Sequence, residues 1–285
     1  MSIAGQAGTA ALTAVCLPKG ESQMNAKRVL HSVPALVIGG VLLWAPSTML
    51  AQGSSNPRVL PPASHPFGLT YGEWAGRFWQ WAFSLPPTHN PGFDTADCSA
   101  GQSGPVWFLG GGFCGSVGTT TFKCESNLVR SCQVPAGKAL LVVSFAEEDS
   151  FIEEPLGTTE ATLRSNAKYV TDHQFSATAA VDGKPVQPVR ICSSGSTCSP
   201  VQAPLYTYTL PSPPIAYDNV LAAVGEDLYA DPARGLIPNG LSSQGVADGY
   251  FALLPPLPVG QHTIYLTSSG PGWSTTTTYN LSVVP

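Results

Sequence analysis

Beyond residue 51 the chain carries six cysteines, Cys98, Cys114, Cys124, Cys132, Cys192 and Cys198, and four of them fall in one stretch dense in glycine and apolar residues. An even count in an oxidising compartment reads as up to three disulfides, with fifteen connectivities formally open. Cys192 and Cys198 enclose only Ser-Ser-Gly-Ser-Thr, so local pairing is expected there. For the others the preferred arrangement nests Cys114–Cys124 inside Cys98–Cys132. A zinc set is excluded by spacing, since no CxxC occurs and no histidine lies near these positions.

The cysteines agree with the start of the chain. Lys27 and Arg28 precede an apolar run from Val33 to Trp44, and small residues follow at Ala45, Ser47 and Ala51. That is the order of a secretory signal. The run is shorter than the ~18 residues of a spanning helix and contains Pro34, so a cleaved signal is expected rather than an anchor. The chain therefore divides into an upstream extension with signal peptide (1–51), a Pro/Ser-rich arm (52–66) and a single β-rich domain (67–285), and the product is secreted or periplasmic. From residue 52 onward there are 10 Lys and Arg against 17 Asp and Glu, a net charge of −7 with no basic run. Such a chain does not track phosphates, so nucleic acid is excluded as a partner.

Scattered Gly, Pro, Ser and Thr favour short strands and tight turns. The clearest helix opens at Thr70, with Glu73 completing a capping box, and Pro86-Pro87 stops it. Tyr71, Trp74, Phe78, Trp81 and Leu85 recur at helical spacing, while Trp79 and Phe83 fall outside that stripe. A helix this apolar has to be covered on more than one side. A weaker helix is expected from about Thr159 to Val170. Val106–Leu109 and Ala139–Phe145 are continuous apolar runs, as for strands buried on both faces. Alternating strand candidates follow at 175–181, 205–210, 250–254, 261–267 and 275–284, with Asp182-Gly183 as a hairpin turn. The fold class is thus mainly β: a disulfide-stapled antiparallel β-sandwich, immunoglobulin-like or jelly-roll, with an N-terminal Trp-rich helix and one further short helix.

Tyr71-Gly-Glu-Trp…Phe78-Trp-Gln-Trp81, then Gly104-Pro-Val-Trp-Phe-Leu-Gly110, then Cys132-x-Val-Pro-Ala-Gly-Lys138 resembles an uncharacterised family of exported bacterial proteins. The segment from Asp248 to Tyr265, closing with Tyr279-Asn-Leu-Ser-Val283, resembles the last strands of immunoglobulin-like extracellular modules. The resemblance implies export and one domain, and it carries no catalytic residues over.

Several motifs lack the partner that their chemistry requires. Gly110-Gly-Gly-Phe-Cys-Gly115 matches G-x-G-x-x-G but leads into a β-prone segment, with no acidic residue at the ribose offset. Gly101-Gln-Ser-Gly104 resembles a serine-nucleophile loop without the histidine and aspartate that activate one. Ser165-x-x-Lys168 with Tyr217-Asp-Asn219 lacks the Lys-Thr-Gly element of the penicillin-binding arrangement.

The strongest polar concentration is Glu147-Glu-Asp-Ser-Phe-Ile-Glu-Glu154, five carboxylates within eight residues. They repel one another unless solvent, a basic partner or a hard cation compensates. Glu147, Glu148 and Asp149 are candidate calcium ligands, although the spacing matches no EF-hand and Pro155 suits a solvated connection after the strand. No other cofactor is implied. Glu147, Glu148 and Glu153 are candidate catalytic carboxyls for glycoside hydrolysis, which needs two carboxyl groups ~5–10 Å apart. Trp273, in a Ser/Gly/Pro loop between the last strands, is a candidate for stacking on a glycan or envelope polymer. The expected role is an exported, non-catalytic binding or scaffolding module; the alternative is a secreted hydrolase of polysaccharide or envelope polymer. Carboxyls converging in a concave pocket with raised pKa values would favour the hydrolase. Carboxylates splayed into solvent beside an exposed Trp273 would favour the binding module.

Overall fold

The computed structural model describes residues 58–93, 97–117, 121–192, 202–212 and 216–285. The leader, residues 52–57 of the arm and Cys198 lie outside the described residues.

Among the described residues two five-stranded sheets, a two-stranded ribbon and three α-helices make up the fold. Helix α1 (Tyr71–Ser84) starts at the expected capping box, where Thr70 accepts from the Glu73 amide and Glu73 accepts from the Thr70 amide. The strands are β1 (Val106–Gly110), β2 (Cys114–Val117), β3 (Thr121–Cys124), β4 (Leu128–Pro135) and β5 (Ala139–Ser150). Then come α2 (Glu160–Asp172), β6 (Ser176–Val181), β7 (Lys184–Val186), β8 (Val189–Ile191), β9 (Tyr206–Thr209) and α3 (Val220–Val224). The chain closes with β10 (Ser242–Leu254), β11 (Gly260–Gly270) and β12 (Trp273–Val284).

One sheet runs β1-β5-β10-β8, with β9 also on β10, and the other β4-β12-β11-β6-β7. They form a sandwich whose pairings are antiparallel except β1 with β5 and β4 with β12. The Asp182-Gly183 turn links β6 and β7 with both residues at positive φ, 49° and 72°. That is the turn whose twist matches the flanking strands.

The apolar runs of β1 and β5 are buried on both faces because each face has its own core. Leu140, Val142, Trp107 and Leu109 pack between the sheets, against Ile264, Tyr279 and Leu281. Leu141, Val143 and Phe108 point the other way, under α1. On α1 Trp74, Phe78, Trp79, Trp81 and Phe83 are all buried, so the helix is covered well beyond one stripe, as its composition requires. Each such side chain contributes roughly 1.5–3 kcal/mol relative to exposure.

The expected disulfides Cys98–Cys132 and Cys114–Cys124 are present, and Cys192 is also disulfide-bonded. The end of the arm is held to the domain: Leu60 donates to the Leu253 carbonyl at 2.8 Å and accepts from the Tyr71 hydroxyl at 2.5 Å. One expectation needs correction. Glu147, Glu148 and Asp149 are not in a solvated connection, because β5 continues to Ser150 and residues 145–150 all pair with β10. Strand β10 supplies the missing backbone partners, which overrides the low strand propensity of acidic residues.

Candidate functional site

Strand β5 changes character at a β-bulge. Val143 faces Phe251 and Phe145 faces Tyr250, which leaves Ser144 as an extra residue with no counterpart on β10. An inserted residue reverses the faces that follow it. Before the bulge the odd positions Leu141 and Val143 lie under α1; after it Ala146 packs there. Gly249 stands opposite Ala146 at φ 145°, where a Cβ would strike the Phe145 carbonyl. The bulge therefore aims the acidic half of β5.

That half lines a recess of about 270 Å³. Glu147 and Glu148 come from β5, Glu153 from the turn after it, and Glu226 from the loop just beyond α3. Asn219 caps α3 and donates to the Ile237 carbonyl at 2.9 Å, while the Glu226 amide donates to Leu221 at 2.9 Å, which seats that loop. Gly245 on β10 leaves the space that the Glu148 carboxyl occupies, since a Cβ there would collide with Oε1. The apolar wall comes from Trp79 and Phe83 of α1, Phe113 of the glycine loop, and Phe145 with Trp273. Phe145 and Trp273 stack at 5.9 Å between centroids and 25° between planes. Trp79 lies 6.2 Å from the Phe113 ring. Its Nε1–H is buried with no hydrogen-bond partner among the described residues, and Trp79 as a whole is only 7% exposed.

Among the described residues no Lys, Arg or His lines the recess. Burial, and then the like charges of Glu153 and Asp149, push the Glu147 carboxyl well above its ordinary range. Glu148 is raised by burial and by Glu153, with which it shares a hydrogen bond. Burial lifts Glu153 to about 8, against the stabilising hydrogen bonds from Glu148 and from the Ser150 hydroxyl. Glu226 is raised by burial and by Asp227. Glu148 Oε1 has no hydrogen-bond partner. Arg190, on β8, is held by the buried Asp248 at 2.6 Å and by Asp172 at 3.1 Å. It is already spent on the strand opposite Glu147.

The structure thus brings Glu147, Glu148, Glu153 and Trp273 to one recess and leaves Asp149 out of it. Asp149 lies by α2, whose Asn166 donates to Glu154 at 3.1 Å, and burial and Glu154 raise Asp149 to about 7. The candidate calcium set Glu147, Glu148 and Asp149 is therefore split between faces. Among the described residues no group of three or more His, Cys, Asp or Glu is arranged to hold a metal ion. Trp273 is no exposed loop residue; it opens β12 after a tight turn and is half-buried. Ser103 is exposed, and its neighbour Gln102 hydrogen-bonds both backbone groups of Phe108. Lys168 pairs with Asp172 on the surface of α2.

Sequence reasoning missed Glu226, Phe113 and the placement of the glycine loop, whose residues 111–115 form part of the wall. Glu226 carries no local signal, being one acidic residue in a loop. Trp79 carried one, its position outside the apolar stripe of α1. Among the described residues no helix is long and apolar enough to cross a membrane. No family model, curated protein or solved structure matches this chain.

Proposed function

We propose that the protein is an exported hydrolase acting on a polysaccharide or another envelope polymer. The observation that carries this reading is the convergence of Glu148, Glu153 and Glu226 in an aromatic-walled recess, with their carboxyl pKa values raised. General acid catalysis works best with a group whose pKa lies near the working pH, and clustered, desolvated carboxyls supply one. Glu148 and Glu153 are in hydrogen-bond contact, closer than the ~5–10 Å that separates the two carboxyls of a glycosidase. They therefore act as one proton-sharing acid that protonates the leaving oxygen. The second carboxylate comes from a separate element: Glu226 removes a proton from the attacking water. The stacked Phe145–Trp273 pair offers a face for a sugar ring. The disulfides support an oxidising, exported setting.

A second reading, an exported non-catalytic module that binds the same polymer, is favoured by the aromatic wall alone. A glycan and envelope-polymer panel with product analysis, run with and without calcium, separates the two. Product release by the wild type, falling at least about a hundredfold in Glu153→Gln and Glu226→Gln, is the expected result, since removing a general acid or base costs about 10²–10⁴-fold. Binding without product, or turnover unchanged in both variants, overturns the hydrolase. Activity that vanishes on chelation would move the chemistry to a calcium ion.

A further inference from the structure

One carboxyl of the recess has no part in that reaction. Glu147 lies on β5 opposite Asp248, on the far side of the strand from the Glu148–Glu153 pair's neighbours Tyr206 and Tyr208, yet it opens onto the same cavity. A buried carboxyl among like charges is destabilising unless something compensates it, and among the described residues the wall holds no Lys, Arg or His. The second observation is the indole of Trp79, more than nine-tenths buried, lining the cavity with its N–H unpaired. An unpaired buried donor is costly and asks for an acceptor. The occupant that answers both must bring N–H donors with positive charge to the carboxyls and a neutral oxygen to the indole. At about 270 Å³ the cavity sits at the small end of ligand sites. It suits a single ring.

We propose that the unit seated in this recess is an amino sugar with a free, protonated amine, its ammonium held by Glu147 and a hydroxyl accepting from Trp79 Nε1–H. The proposal rests on the hydrolase reading only for its polymer, which would then be a glycan bearing unacetylated amines. An N-acetyl group would remove the charge and add bulk against Glu147. The groups that act on Glu147 are Glu153, Asp149, Glu226 and Asp248, the last already paired with Arg190. An ammonium reverses their effect, because an opposite charge favours the ionised carboxyl. Binding therefore releases a proton to the buffer.

The test is calorimetry of the purified wild-type protein with glucosamine, N-acetylglucosamine, glucose and putrescine, each in two buffers of different ionisation heat. Free monosaccharides contain no bond to hydrolyse, so the result is independent of turnover. Glucosamine is expected to bind at least about tenfold more tightly than N-acetylglucosamine or glucose, the usual scale for a hydrogen bond to a charged group. Its binding heat should depend on the buffer, and Glu147→Gln should remove both the preference and the buffer dependence. Equal affinity for glucosamine and glucose overturns the proposal, as does putrescine binding as tightly as glucosamine. If Glu147→Gln fails to fold, the four wild-type titrations still decide. Amine preference without product release leaves this assignment standing and removes the hydrolase. Product release from a fully acetylated polymer without amine preference does the reverse.

Discussion

The two halves of strand β5 pair with the same partner strand and differ in almost everything else. Residues 139–143 are apolar, fully buried and packed on both faces, between the sheets and under α1. Residues 145–150, beyond the bulge at Ser144, put carboxyls into a recess where, among the described residues, no Lys, Arg or His meets them. The first half follows the rules of stability and the second breaks them: charges are desolvated beside like charges, and polar atoms are left without partners. Proteins keep such violations where a site needs them. The difference teaches that the bulge separates scaffold from site within one strand.

The largest expected effect comes from the scaffold side. Cys98 and Cys132 sit in the inter-sheet core beside Leu140 and Val142, and their bond closes 34 residues of chain. Replacing both by serine should cost about 3–4 kcal/mol by loop-closure entropy. Denaturant unfolding measures it, and an unchanged midpoint would sink the argument. Leu141→Ala in the first half should lose about 3 kcal/mol, the middle of the range for a buried leucine. A loss well under 1 kcal/mol would mean that the two halves of β5 do not differ as described.

The recess side should respond to pH with the opposite sign from ordinary carboxylates. Glu147, Glu148, Glu153, Asp149 and Glu226 have raised folded-state values, so the folded protein holds more protons than the unfolded chain from about pH 4.5 up to about 8. Stability then falls as pH rises through that window. The melting temperature should be higher near pH 5 than near pH 8; a flat or rising profile would contradict the electrostatics of the recess. The smallest effect is Glu148→Gln. Its amide N–H can donate to Glu153, yet it cannot ionise. At about pH 8 it should raise the melting temperature by roughly 2–4 °C, the shift that 1 kcal/mol produces in a domain of this size. It should also flatten the pH profile.

Much of the scaffold was legible residue by residue. Thr70 with Glu73 marked the start of α1, Asp182-Gly183 marked the β6–β7 hairpin, and the apolar runs marked β1 and the first half of β5. The site was only half legible. Glu147, Glu148, Glu153 and Trp273 stood out as residues, but the acidic stretch read as a solvated connection because strand pairing by β10 leaves no trace in composition. Glu226 comes from about 80 positions further along the chain and has no neighbour in sequence that marks it.

By itself the sequence determined the β-rich class and the wide burial of the Trp-rich helix, and it offered the staples as a preferred pairing. Those follow from spacing, turn chemistry and the cost of wetting apolar surface, all of which act locally or through composition. Which carboxyls share a cavity was decided only by the tertiary structure. A single extra residue at Ser144 and the packing of the Glu226 loop set it, and a charge's environment depends on what surrounds it in space rather than along the chain.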